Sequence, residues 1–107
     1  MTDSTAMPPS QSLAARRTAL APDTERAFRE FGKQVFAEGA LSTKTKEIIA
    51  VAVAHVTQCP YCIRGHTRSA ERAGATPEEL MEAIWVAAEM RAGAAFAHSA
   101  LALAEMK

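Results

Sequence analysis

The chain predicts an all-α fold, a compact helical bundle that completes its core by oligomerising. Three observations carry this. Hydrophobic residues fill 49% of the 107 positions and aromatics only 6%, with alanine supplying much of the apolar content, the composition of closely packed helices. Apolar residues recur at helical spacing in segment after segment. Beyond the one cysteine pair, no stretch reads as a strand.

Length and charge narrow the function. A chain of 107 residues suits one domain with a modest core; residues 1–20 read as a flexible N-terminal arm and 21–107 as the helical domain. The 12 basic and 12 acidic residues cancel, which points away from nucleic acid and anionic membranes as partners. No apolar run is long enough to span a bilayer. The polar start, with Asp3, Ser4 and Pro8-Pro9, is unlike a secretion signal, so the expected location is cytoplasmic. In that reducing compartment a lone cysteine pair is catalytic or metal-binding rather than a structural staple.

The elements follow in order. A short helix around Leu13 to Leu20 precedes Ala21-Pro22-Asp23, a start signal in which Asp23 or Thr24 can cap the next helix. There Ala27, Phe28, Phe31, Val35 and Phe36 form an apolar stripe opposite Glu25, Arg26, Arg29, Glu30 and Lys33, so the phenylalanines are expected in the core and the helix to end near Gly39. Ser42 caps the following element, in which Ile48 to Val56 is apolar except at His55. That run fits a buried helix, and its β-branched residues also fit a buried strand. A further helix runs from about Pro60 to Arg72 and stops at Gly74. Thr76-Pro77-Glu78-Glu79 is a capping box with proline at the first position. It opens a helix in which Gly93 suggests a kink or short break before a last helix from Ala94 to Met106. Leu80, Ile84, Trp85 and Phe96 are expected to leave an apolar face for a subunit interface.

Function concentrates in Gln58-Cys59-Pro60-Tyr61-Cys62-Ile63-Arg64-Gly65-His66. With Cys59 as N-cap and Pro60 at the first helical position, Cys62 and His66 follow on the first two turns. At about 100° per residue, His66 falls within roughly 20° of Cys59 and Cys62 within roughly 60°, so all three share one face. The unpaired N–H groups of a helix start stabilise a thiolate there. His66 is a candidate proton carrier, against the plainer reading as a surface histidine. Glu47, twelve residues before Cys59, either faces inward near the thiols or is a solvated first-turn glutamate. His55 reads as a satisfied core histidine, His98 as an ordinary helix residue, and Trp85 as core or interface.

Three readings compete. A zinc site wants four ligands, and Cys59, Cys62 and His66 supply three, with Glu47 or His55 as a fourth. Cys-Pro-Tyr-Cys is also the tetrapeptide of glutaredoxins, but the strands and cis-proline of that fold have no counterpart after it. The third reading is a helical dithiol enzyme. Glu47, Cys59, Cys62 and His66, followed by Ala70-x-x-Ala73-Gly74-Ala75, resemble the alkylhydroperoxidase D-like (AhpD-like) branch of the carboxymuconolactone decarboxylase family over roughly residues 25 to 106. The resemblance implies an all-helical trimer or hexamer that reduces hydroperoxides with an external thiol or dithiol, using no metal or other cofactor. It also implies that Glu47 and His66 relay protons for the pair, with Cys62 attacking the peroxide and Cys59 resolving; N-cap geometry alone favours Cys59 as the attacking thiol. The residue before Cys62, histidine in the best-known members, is here Tyr61. The alternatives are a thiol–disulfide oxidoreductase without peroxidase activity and a non-catalytic redox-sensing or oligomeric binding module.

Overall fold

A computed structural model describes residues 12–107; the first eleven positions of the expected arm lie outside the described residues. Five helices follow one another: α1 Leu13–Leu20, α2 Pro22–Phe36, α3 Thr43–Thr57, α4 Pro60–Arg72 and α5 Pro77–Glu105. Among the described residues there is no strand, so the β-branched run before the cysteines is helical. None of these helices is long and apolar enough to cross a membrane. The chain divides into two units, one ending at Phe36 and one spanning Ala37–Lys107.

In the first unit Ser12 caps α1, accepting from the Ala15 N–H at 3.2 Å. Thr18 Oγ1 on α1 donates to Glu25 Oε1 on α2 at 2.6 Å. Helix α2 starts at Pro22, which leaves Asp23 and Thr24 in its first turn rather than at the cap, and stops at Phe36, short of Gly39. Phe28 and Phe31 are 71% and 64% exposed, against the expectation of core packing. Periodicity identified the apolar stripe of α2, but nothing described buries it.

The second unit is built around α3, which packs against both α4 and α5. Its core joins Val51 of α3, Ala70 of α4, Ala75 and Leu80, with Ile48 and Ile84 packed against it; Ala54 and Ala87 are also buried. Alanine at these positions lets the helix axes approach closely, and burying a side chain such as Val51 or Leu80 contributes about 1.5–3 kcal/mol. Leu80 and Ile84 therefore belong to this core and not to the expected interface face.

The ends of the helices follow local chemistry. Ser42 accepts from the Thr45 N–H at 3.1 Å. Gly74, at φ 100°, closes α4 in the left-handed conformation that a side chain resists, with the Ala75 N–H returning to the Ala70 carbonyl at 2.9 Å. Thr76 and Glu79 form the reciprocal capping box. Helix α5 then runs 29 residues without a break, so Gly93 does not interrupt it. A single glycine costs only about 1 kcal/mol against alanine in a helix, and the surrounding helix formers absorb that.

The capping box gives a first prediction. Replacing Thr76 with alanine removes the acceptor for the Glu79 N–H and should cost about 0.5–2 kcal/mol in urea unfolding. Glu79 has its carboxyl held below the usual range, first by the hydrogen bond from the Thr76 backbone N–H and then by Lys44 at 3.1 Å. A carboxyl whose folded pKa is depressed stabilises above its unfolded pKa and loses that contribution as pH falls through the folded one. The difference between wild type and Glu79→Gln should therefore shrink on acidification below the ordinary glutamate range.

Candidate active site

The site begins where α3 hands the chain to α4. Cys59 is the N-cap of α4 in extended conformation, with Pro60 at the first helical position where its missing N–H is harmless. Its Sγ accepts from the Cys62 N–H at 3.2 Å. The two cysteines are joined as a disulfide, their Cα atoms 5.2 Å apart, within the span that a disulfide needs. A cap and the first turn of a helix place residues i and i+3 at this separation without distorting the backbone.

One turn beyond Cys62, His66 meets α3. Its Nδ1–H donates to Glu47 Oε1 at 2.7 Å. Glu47 is buried and polar, just past the first turn of α3, so of its two sequence readings the inward-facing one holds. Its burial has a physical consequence: a carboxylate removed from water needs a donor, and the imidazole supplies it. The same bond fixes the ring, since a proton held on Nδ1 toward the carboxylate leaves the lone pair on Nε2.

His66 and Cys62 also line one cavity of about 150 Å³, whose other walls are Ala50, Val53, Ala54 and Thr57 of α3. The lining is mainly apolar, with the sulfur and the imidazole as its chemistry. A cleft of about 280 Å³ between Arg17, Ala21, Thr24, Glu25 and Phe28 is larger, but no cysteine or histidine lines it, and its carboxylate, Glu25, already accepts from Thr18 and Arg29. Sequence reasoning did not single out Ala50, Ala54 or Thr57. Their spacing from Glu47 (three, seven and ten residues) is that of one helix stripe, and this signal could have found them once Glu47 was placed.

The remaining candidates lie apart from this arrangement. The His55 ring is bonded through Nδ1 to the Val51 carbonyl at 2.7 Å, one turn back on its own helix. His98 is exposed on the distal part of α5. Tyr61 is exposed beside the disulfide. Among the described residues no three His, Cys, Asp or Glu side chains gather where they could hold a metal ion.

Comparison with known proteins places this geometry in a family. An uncharacterised protein encoded in the cox locus of Paracoccus denitrificans is 56% identical over 98 residues, covering 92% of this chain and 88% of that protein. An uncharacterised protein of Cupriavidus necator is 36% identical over 83 residues, 78% of this chain and 74% of its own. Among solved structures, a Methanobacterium thermoautotrophicum protein superposes with a TM-score of 0.72 at 36% identity, covering 77% of this chain and 94% of the other. A carboxymuconolactone decarboxylase family protein from Legionella pneumophila gives 0.68 at 36% identity over 72% and 69% of the two chains. A Thermotoga maritima member of that family, for which a role in antioxidative response has been suggested, gives 0.57 at 33% identity over 60% and 66%. Residues 22–106 match the family as a whole, and the chain belongs to the carboxymuconolactone decarboxylase family.

Proposed function

We propose that the protein is a thiol-dependent peroxidase of the alkylhydroperoxidase D-like branch, cycling Cys59 and Cys62 between dithiol and disulfide. The observation that carries this is the shared cavity of Cys62 and His66, with His66 bonded to buried Glu47. The suggested antioxidative role of the Thermotoga maritima relative points the same way.

Cys62 is the attacking cysteine, because it and not Cys59 lines the cavity with the imidazole. His66 Nε2 takes the thiol proton. The thiolate attacks the distal peroxide oxygen, the O–O bond breaks, and the proton passes to the departing alkoxide, giving an alcohol and a sulfenic acid on Cys62. The Cys59 thiol displaces water from that sulfenic acid and forms the disulfide. An external dithiol then returns two electrons and two protons to the pair and is itself oxidised. Glu47 keeps the imidazole in the tautomer that each proton transfer needs.

The decisive test is consumption of an organic hydroperoxide by the reduced protein with a dithiol donor, together with thiol counting. Wild type should lose both thiols and turn over. Cys62→Ser should lose all turnover, and Cys59→Ser should stop at a sulfenic acid after one equivalent. Turnover of disulfide substrates with none of peroxides would instead favour a thiol–disulfide oxidoreductase.

Glu47→Gln keeps an oxygen that can accept from Nδ1–H but removes the charge. It should slow oxidation of Cys62 by about 10²–10⁴-fold, the scale of a positioned acid–base partner. His66→Gln should lose a similar factor, and the double variant much less than the product of the two. Oxidation of Glu47→Gln at the wild-type rate would remove Glu47 from the reaction.

The active form is a trimer or hexamer. Trp85 and Phe96 of α5 are 66% and 81% exposed, with Val86, Met90, Leu101 and Leu103 exposed along the same helix, and apolar surface of this extent favours subunit contact. Light scattering should return three or six times 11.4 kDa; a monomer mass rejects the assembly.

A further inference from the structure

The turn that delivers Cys59 to α4 is held from outside by a residue far along the chain. Gln58, the C-cap of α3, lies at φ 58° and ψ 48°, the left-handed region, and no other non-glycine residue among those described has a positive φ. A residue with a Cβ is unfavourable there and persists where its neighbours over-determine it. Arg91 of α5 is such a neighbour. Its Nη1 donates to the Val56 carbonyl at 3.3 Å, a last-turn carbonyl of α3 that has no partner within the helix. The Gln58 amide, set with its oxygen rather than its NH₂ toward the guanidinium, accepts from Nη1 at 2.8 Å and Nη2 at 3.2 Å. One planar fork thus grips the chain one and three residues before Cys59, an arrangement suited to arginine and not to lysine.

We propose that Arg91 is a positioning residue for the Cys59–Cys62 couple: by clamping the Val56–Gln58 turn it holds the reduced Cys59 thiol against Cys62 and favours the disulfide. The proposal rests on the reading of the pair as a reversible dithiol. The couple is the disulfide plus two electrons and two protons in equilibrium with two thiols, the electrons coming from an external dithiol that becomes a disulfide. Only the reduced state leaves Cys59 untethered at its sulfur. Ordering its turn in advance removes freedom that ring closure must otherwise remove, which raises the effective concentration of one thiol at the other and makes the potential more negative. Charge acts with the opposite sign. A guanidinium near the thiols stabilises thiolate, so losing it through charge alone would favour the disulfide and lower the potential.

The test uses the full chain equilibrated in dithiothreitol redox buffers, with the oxidised fraction read by thiol trapping and the fold by circular dichroism. Arg91→Ala should lower the equilibrium constant for the disulfide three- to tenfold, a potential less negative by about 14–30 mV at 29.6 mV per decade. Arg91→Lys should fall between wild type and Arg91→Ala, and Gln58→Ala should shift the potential in wild type but little in Arg91→Ala. A folded Arg91→Ala with an unchanged or more negative potential overturns the clamp while leaving the dithiol reading intact. Should Arg91→Ala not fold, unchanged potentials in both Arg91→Lys and Gln58→Ala overturn it equally. A wild type that forms no reversible disulfide overturns the dithiol reading and the clamp together.

Discussion

Everything in the second unit depends on α3 being covered by two helices at once. Val51 is wholly buried and Ala54 nearly so, with Ala70 of α4 and Leu80 of α5 closing over them. Small side chains permit that approach, and the approach leaves little room for choice nearby. Glu47 stands one turn before Val51, so the packing that seals the valine also takes the carboxylate out of water. On α4 the stripe that brings Ala70 to α3 carries His66 and Cys62 as well, each four residues from the next. The hydrogen bond between Glu47 and His66 is thus a consequence of helix register, and the pair is mounted on the core itself.

This coupling explains why a charged residue can sit at the heart of a small, alanine-rich fold. An unpaired buried carboxylate would be destabilising. Bonded to an imidazole it is satisfied, and the imidazole in turn is held in one orientation beside a sulfur. The bond that satisfies the carboxylate is the same one that orients the ring.

Local signals in the sequence were legible because local chemistry decides them. Ser42, Cys59 and Thr76 are caps whichever way the rest of the chain packs, since each oxygen or sulfur answers the N–H three residues on. Gly74 ends α4 for reasons internal to its own turn. The run from Ile48 to Val56 stayed ambiguous between strand and helix because β-branched side chains fit both; α4 and α5 resolve it. Gly93 misled, because one weak propensity was set against a long row of helix formers. Phe28 and Phe31 misled differently: periodicity identifies an apolar face but not what covers it. The inward side of Glu47 depended on a helix that begins thirteen residues later, and the grip of Arg91 on Gln58 spans 33 positions. Spacing along one helix predicts neither.

Helix α5 is about 43 Å long from its 29 residues at 1.5 Å each, yet its buried residues, Leu80 and Ala87, lie in the first half. From Ala94 onward every position is exposed. One continuous helix therefore holds two regimes of protection. Amide protons around Leu80 to Ala87 exchange only when the core opens, whereas those beyond Phe96 are held by helix hydrogen bonds alone and exchange by fraying from the end. Any surface that settles on the distal half would erase that gradient, so the exchange profile along this single element reports how much of it is covered.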